Sequence, residues 1–139
     1  MIVYFDTSAI LSIILVDANS EKAGRWYRAI RATTIVSDLA SLEVCAVVSH
    51  EFRARRLVRA HADKALSDFE AFRTESERMT CGTNEFSLAE RLIRGFSTKL
   101  SAPDALHLAS AKNKGATLAT FDARLAEAAR VQRMEVALG

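Results

Sequence analysis

The chain begins with a short apolar segment that ends abruptly at an acid. Ile2 to Phe5 is rich in β-branched and aromatic residues, which is typical of a strand buried on both faces at the centre of a parallel sheet. Asp6, Thr7 and Ser8 follow this segment. They open an apolar stretch, Ala9 to Val16, that we interpret as a helix. Because the turn from a strand to a helix borders the ligand crevice in such sheets, we predict that Asp6 is the first ligand of a metal site.

Further strands and helices alternate along the chain. We predict four more short strands, at Thr34 to Ser37, Met79 to Cys81, Thr117 to Thr120 and Met134 to Ala137. The predicted helices run from Asn19 or Ser20 to about Arg31, Ser37 or Asp38 to about Arg59, Asp63 to about Glu77, Asn84 to near Lys99, Ala102 to Lys114, and onward from Asp122. This order predicts three layers, α/β/α, around a short parallel sheet of about five strands. Right-handed crossovers then place the carboxyl ends of all strands along one edge.

The length and composition favour a single domain at residues 1–139. We also expect the protein to lie inside the cell. No apolar stretch approaches the roughly 20 residues needed to span a bilayer. A signal peptide would begin with basic residues, and here the first charged side chain is Asp6. We therefore expect a cytoplasmic protein without a membrane partner. Cys45 and Cys81 lie in no metal-binding motif, and we expect them to be buried free thiols.

Glu43 is the most informative single position in the sequence. Its neighbours one helical turn away are all apolar, namely Leu39, Ala40, Ala46 and Val47. The side chain is therefore predicted to face inward. Burying an ionised carboxylate is costly unless it is paired or bound to a metal, and no Lys or Arg lies within one turn. Two explanations follow: a metal ligand, or a salt bridge to a distant arginine.

Two further acids lie where helices are predicted to begin. Asp104 belongs to a Ser-Ala-Pro-Asp segment that resembles a capping box with Pro in the first turn. It also shares a helix face with His107 and Leu108, which we expect to pack on the sheet. Asp122 directly follows a predicted strand and can cap the last helix. Asp6, Asp104 and Asp122 could each therefore be simple helix-start residues.

Four acids that converge repel one another unless a cation lies between them. Hard oxygen ligands without His or Cys point to Mg²⁺ or Mn²⁺ rather than zinc. Four metal-bound acids would leave 13 acids against 19 Lys and Arg, a surrounding surface of about +6 that suits a polyanion. Such a site favours metal-assisted hydrolysis of a phosphodiester.

The same residues match a known family. The pattern comprises Asp6-Thr7-Ser8, a Glu in the helix after the second strand, PDALHLASA at residues 103–111 and TFDARL at residues 120–125. It resembles the pattern of PIN-domain nucleases, specifically the VapC-type toxins of bacterial toxin–antitoxin pairs. The resemblance covers the whole chain, with the motifs in the family's order. It implies a PIN-like fold for the single domain at residues 1–139.

The resemblance also implies an activity and its partners. A VapC-type protein would be a Mg²⁺- or Mn²⁺-dependent endoribonuclease that cleaves RNA, often tRNA or rRNA. It would act as a homodimer neutralised by a cognate antitoxin, alone or in a larger assembly. Position by position, the resemblance implies that the catalytic and metal-binding residues are Asp6, Glu43, Asp104 and Asp122, supported by the hydroxyls of Ser8 and Thr120. His107 matches a common family residue, for which packing near the site is the simpler explanation.

Several alternatives remain open from the sequence. A PIN domain could act on DNA or in RNA maturation, and the acids could serve a non-catalytic metal-binding or phosphotransfer domain. The haloacid-dehalogenase pattern is disfavoured because Ser8 stands where a second Asp is needed. A receiver domain is disfavoured because it needs a Lys after its last strand, and no Lys follows Ala137. We predict that an antitoxin covers the apolar, Arg-rich surface of the second helix and the helical hairpin, from Trp26 to Arg59.

Overall fold

Five parallel strands form the centre of the computed structural model, which describes residues 1–139. The strands are β1 (Ile2–Phe5), β2 (Thr33–Ser37), β3 (Glu77–Met79), β4 (Thr117–Ala119) and β5 (Val136–Ala137). Their order across the sheet is β3-β2-β1-β4-β5, and every neighbouring pair is parallel. The predicted five-stranded parallel sheet is therefore confirmed, with β1 at its centre.

Seven helices cover the two faces of the sheet. They are α1 (Thr7–Ile14), α2 (Ser20–Ala29), α3 (Asp38–Arg53), α4 (Arg59–Thr74), α5 (Thr83–Arg94), α6 (Ala102–Asn113) and α7 (Ala123–Val131). Because side chains alternate along a strand, Val3 and Phe5 pack with α1 to α4, whereas Tyr4 packs with α5 to α7. This confirms the three-layer α/β/α fold. No helix combines the length and apolar character that crossing a membrane requires.

The third helix ends six residues earlier than predicted. The sequence predicts a helix to about Arg59, but α3 ends at Arg53 and the chain turns through Arg55, whose φ is +61°. The N–H of Arg56 donates to the carbonyl of Glu51 and that of Arg55 to the carbonyl of Phe52, which is the pattern of a Schellman motif. The motif usually carries Gly at the left-handed position. An arginine there gives no sequence signal for the end of the helix.

Other boundaries also differ from the predictions. The helix expected at Asp63 begins at Arg59. Its N-cap is Val58, whose side chain has no acceptor, so the sequence carries no capping signal at this start. The helix expected to reach Lys99 ends at Arg94. The strand predicted at Met79 to Cys81 lies two residues earlier, where it pairs with β2 at the edge of the sheet.

Both cysteines are free, but only part of the prediction for them holds. Cys81 is half-buried, whereas Cys45 is exposed. The residues of α3 that pack into the core are Ala40, Val44 and Val48. Cys45 lies off this stripe, so the expectation of a buried thiol at that position is wrong.

Candidate functional site

The carboxyl ends of three neighbouring strands bring polar side chains to one edge of the sheet. Asp6 directly follows β1, Ser37 is the last residue of β2, and Thr120 directly follows β4. The backbone N–H of Asp6 donates to the carbonyl of Ala119 at 3.1 Å, which continues the pairing of β1 with β4 past the end of β1. The edge is therefore built on the central strands.

Asp6 is buried and closely surrounded by hydrogen-bond donors. Its side chain caps α1: Oδ1 accepts from the backbone N–H of Ala9 at 2.9 Å and from the hydroxyl of Ser8 at 2.7 Å. The hydroxyl of Thr120 donates to Oδ2. Burial raises the pKa of the Asp6 carboxyl, and these hydrogen bonds only partly oppose the rise. Asp6 is 3% exposed, and no Lys or Arg forms an ion pair with its carboxylate.

Asp122 is connected to Asp6 through Thr120. The backbone N–H of Asp122 donates to Thr120 Oγ1 at 2.9 Å, and the same hydroxyl donates to Asp6. Asp122 caps α7, because its Oδ1 accepts from the N–H groups of Arg124 and Leu125 at 2.9 and 3.0 Å. Its Oδ2 makes no hydrogen bond within the chain. Capping therefore accounts for only one of the two oxygens.

Glu43 contacts a histidine rather than an arginine. Its Oε1 accepts from His107 Nε2 at 2.6 Å and from the Thr7 hydroxyl at 2.8 Å. The hydrogen bond from His107 is the main reason why the pKa of the Glu43 carboxyl is lowered. The side chain is 33% exposed, so it faces the interior only in part. A salt bridge from Glu43 to a distant arginine, the alternative to a metal ligand, is not present.

Asp104 lies half-buried in the first turn of α6. The helix is capped by Ser101, whose hydroxyl accepts from the N–H of Asp104 at 3.3 Å. In a complete capping box the acidic side chain would bond back to the N–H of the cap residue. The Asp104 carboxylate makes no hydrogen bond within the chain, so the box is only half formed. Its acidic side chain is therefore not explained by capping.

The predicted ligands suit a hard divalent cation in type, but they are not gathered around one point. All four carry carboxylate oxygens, which Mg²⁺ and Mn²⁺ prefer. Oxygens without a hydrogen bond remain on Glu43, Asp104 and Asp122. In this conformation no three side chains of His, Cys, Asp or Glu are arranged to hold a metal ion. A three-ligand site therefore requires side chains to rotate toward the ion, and the assignment of the four ligands stays a prediction.

Three polar residues beside this edge, Tyr4, Thr7 and Ser37, have no site role that the sequence predicted. Tyr4 is fully buried, and its hydroxyl lies 2.8 Å from Ser37 Oγ and 2.7 Å from His107 Nδ1. Thr7 donates its hydroxyl hydrogen to Glu43. The signal that could have identified Tyr4 is its hydroxyl in a strand predicted to be buried on both faces, since buried Tyr hydroxyls require partners.

A groove of about 870 Å³ lies between α1, α3 and α4. Apolar side chains, including Leu11, Leu15 and Leu57, line it together with charged residues such as Arg56. Arg56 also forms a two-pronged ion pair with Glu51, at 2.6 and 3.0 Å. The groove overlaps part of the surface from Trp26 to Arg59 that the sequence indicated as an antitoxin contact. It therefore combines an apolar floor with a charged rim.

A protein-family model described as PIN domain matches residues 3–131 of the chain. This match includes all four acids predicted to bind a metal, together with Ser8, Thr120 and His107. None of the curated proteins compared with the chain matches it.

Several solved structures share the fold. The toxin VapC20 from Mycobacterium tuberculosis, described as a sarcin–ricin loop cleaving toxin, has a TM-score of 0.73 and 21% identity, with 91% of this chain and 94% of that chain covered. VapBC2 from Rickettsia felis, bound to a DNA fragment from its promoter, has a TM-score of 0.72 and 16% identity, with 99% and 98% covered. FitAcB from Neisseria gonorrhoeae has a TM-score of 0.73 and 17% identity, with 96% and 95% covered.

Proposed function

The chain belongs to the PIN-domain family, and from that premise we propose that it is a metal-dependent endoribonuclease toxin of the VapC type. The observation that carries the proposal is Asp6. Its carboxyl is almost completely buried at the carboxyl end of the central strand, and no basic side chain pairs with it. Burying an ionised carboxylate is costly unless a cation compensates its charge. The resemblance to VapC toxins supports RNA, such as tRNA or rRNA, as the substrate.

In this proposal Asp6, Glu43, Asp104 and Asp122 are the catalytic residues and the ligands of Mg²⁺ or Mn²⁺. When bound, the ion would neutralise charge on the scissile phosphate and lower the pKa of the attacking water. The hydroxyls of Ser8 and Thr120 hold the two oxygens of Asp6 in a fixed orientation. Asp104, whose carboxylate has no partner within the chain, is free to orient the water.

We further propose that the protein acts in the cytoplasm as a homodimer and is neutralised by a cognate antitoxin, with larger toxin–antitoxin assemblies built from that pair. The groove between α1, α3 and α4 supports the antitoxin contact within this proposal. An amphipathic helix of an antitoxin would place its apolar face on Leu11, Leu15 and Leu57, and its acidic groups near Arg56. This location shifts the predicted contact away from Trp26. That side chain is half-buried, and its ring centroid lies 5.6 Å from that of Phe5.

The test of the enzymatic proposal is metal removal and restoration. Purified protein incubated with total RNA should cleave it in Mg²⁺ or Mn²⁺, lose this activity in excess chelator, and regain it when the metal is restored. Asp104→Asn should reduce the rate by at least about 100-fold, since even outer-shell changes at metal sites cost 10–100-fold. Cleavage that is equal with metal, with chelator and in the variant would contradict the proposal. Cleavage of DNA but not RNA would favour a PIN nuclease of another class.

The antitoxin contact is tested by binding measurements with the product of the neighbouring open reading frame. Replacing Leu57 or Arg56 with alanine should each weaken the complex by about 10-fold, because truncating a side chain that acts as an interface hot spot costs more than about 1 kcal/mol. Calorimetric titration gives the affinities. Arg94→Ala is the matched control, since Arg94 is exposed on α5 in the opposite layer. Unchanged affinity in both groove variants would mean that the antitoxin binds elsewhere.

A further inference from the structure

A continuous chain of hydrogen bonds runs from the interior of the sheet to Glu43. Ser37 Oγ contacts the Tyr4 hydroxyl at 2.8 Å, and this hydroxyl contacts His107 Nδ1 at 2.7 Å. On the other side of the ring, His107 Nε2 contacts Glu43 Oε1 at 2.6 Å. Tyr4, Ser37 and His107 are at most 2% exposed. We call this set the Tyr4–His107 relay, and it links β1, β2, α6 and α3.

The chemistry of the two ends fixes the direction of these hydrogen bonds. A carboxylate only accepts, so Nε2 of His107 carries the proton toward Glu43. The Tyr4 phenol carries a single hydrogen, and its hydroxyl lies between Ser37 Oγ and His107 Nδ1. In a neutral ring Nδ1 is the acceptor, and Tyr4 donates to it. Ser37 then donates to the oxygen of Tyr4, while its own oxygen accepts from the N–H of Ala40 at 3.0 Å.

The relay acts on one oxygen of Glu43 only. Both donors to this side chain, His107 and Thr7, bond Oε1, and no group of the chain bonds Oε2. Two donors on the same oxygen restrict rotation of the carboxylate about its terminal bond. A third of the side chain remains exposed. The arrangement thus leaves one oxygen fixed inside the protein and the other free to bind.

We propose that Tyr4 and His107 are positioning residues that hold Glu43 with its second oxygen ready to bind the divalent ion. The inference rests on the proposed nuclease function and deepens it. His107 touches neither the ion nor the RNA in this proposal, and it acts through Glu43. Tyr4 acts one step further away, by selecting the tautomer of His107 whose Nε2–H points at the carboxylate. Outer-shell partners of this kind commonly fix ligand orientation at metal sites.

The first measurement is the state of the His107 ring. Long-range ¹H–¹⁵N correlation spectra of the full-length protein, without metal, should show a proton on Nε2, the ring nitrogen that faces Glu43. Tyr4→Phe should shift the Nδ1 resonance, because that nitrogen loses its hydrogen-bond donor. Tyr27→Phe is the matched control, since the Tyr27 hydroxyl lies 3.5 Å from Glu75 on another face and has no link to His107. A ring that carries its proton on Nδ1 alone would overturn the relay, because Nε2 could then not donate to Glu43.

The second measurement is the affinity for Mn²⁺ alone, obtained from the relaxation of water protons. Tyr4→Phe should weaken binding by about 10-fold and His107→Phe by about 10–100-fold, the range for outer-shell changes. His107→Gln should recover part of the loss, because its amide can still donate to Glu43. Thermal melting of each variant shows whether it is folded. Should His107→Phe prove unfolded, the comparison of Tyr4→Phe with Tyr27→Phe decides the result.

The two proposals fail in distinguishable ways. If the unmodified protein binds Mn²⁺ and cleaves RNA, but folded Tyr4→Phe and His107→Gln bind the ion as tightly as it does, the relay is wrong and the nuclease function stands. If the unmodified protein neither binds Mn²⁺ nor cleaves RNA, the nuclease function is wrong, and the positioning role is overturned with it. A uniform loss of melting temperature without a change in Mn²⁺ affinity would assign the relay to folding alone.

Discussion

Replacing Asp6 with asparagine is expected to abolish RNA cleavage and, in the absence of metal, to make the protein more stable. The loss of activity should be at least about 100-fold, since a proposed ligand is removed. The gain in stability has a separate cause. Burial raises the pKa of the Asp6 carboxyl, so its ionisation costs folding free energy. Asparagine removes this charge, and its oxygen can still accept from Ala9 and Ser8.

The pH dependence of this gain follows from the sign of the shift. Because the folded pKa of Asp6 lies above its ordinary value of 3.8, the cost is fully present above the folded pKa and disappears as the pH falls below both values. The melting temperature of Asp6→Asn should therefore exceed that of the unmodified protein at neutral pH, by about 3 °C if the cost is roughly 1 kcal/mol. The difference should shrink in acid.

Calorimetric scans with chelator and with Mn²⁺ would measure both effects. Added Mn²⁺ should stabilise the unmodified protein by mass action and leave Asp6→Asn almost unchanged, so that the order of the two melting temperatures reverses. Asp63→Asn is the control for a lost surface charge, because Asp63 is exposed in an ion pair with Arg59. A metal-free Asp6→Asn protein that melts below the unmodified protein at every pH would show that Asp6 is not destabilising.

Replacing Phe5 with alanine is expected to destabilise the fold more than any of the other substitutions. Phe5 is fully buried next to Asp6, and its ring packs against Trp26, Tyr27 and Phe72 with centroid distances of 5.6, 6.0 and 5.1 Å. Truncating a buried Phe typically costs about 3–5 kcal/mol, out of a total stability of roughly 5–15 kcal/mol. The melting temperature should fall by about 10–20 °C.

Urea unfolding gives the free energies for this comparison. Phe96→Ala is the matched control, since Phe96 is 94% exposed and its truncation should change the free energy of unfolding by less than about 0.5 kcal/mol. A cost below about 1 kcal/mol for Phe5→Ala would mean that the neighbouring aromatic rings repack around the lost volume.

For Glu43, the local sequence predicted the need for a partner but not which residue the partner is. Its apolar helical neighbours correctly indicated a carboxylate that needs a partner. They could not identify that partner, because His107 lies 64 positions away and reaches Glu43 only when α6 packs beside α3. Tyr4 is 103 positions from His107, and its role depends on which face of the sheet its side chain takes. These contacts follow from layer packing rather than from spacing along the chain.

The sequence by itself determined the parts of this protein that depend on local periodicity and on the order of elements. Ile2 to Phe5 as a central strand, the alternation of strands with helices, and the capping positions of Asp6 and Asp122 all follow from residues close in sequence. Only the tertiary structure decided where α3 ends, since Arg55 adopts a left-handed conformation without the usual glycine. It alone decided the partner of Glu43 and the burial of Asp6 without a Lys or Arg partner, because hydrogen bonding and desolvation depend on neighbours that are distant in sequence.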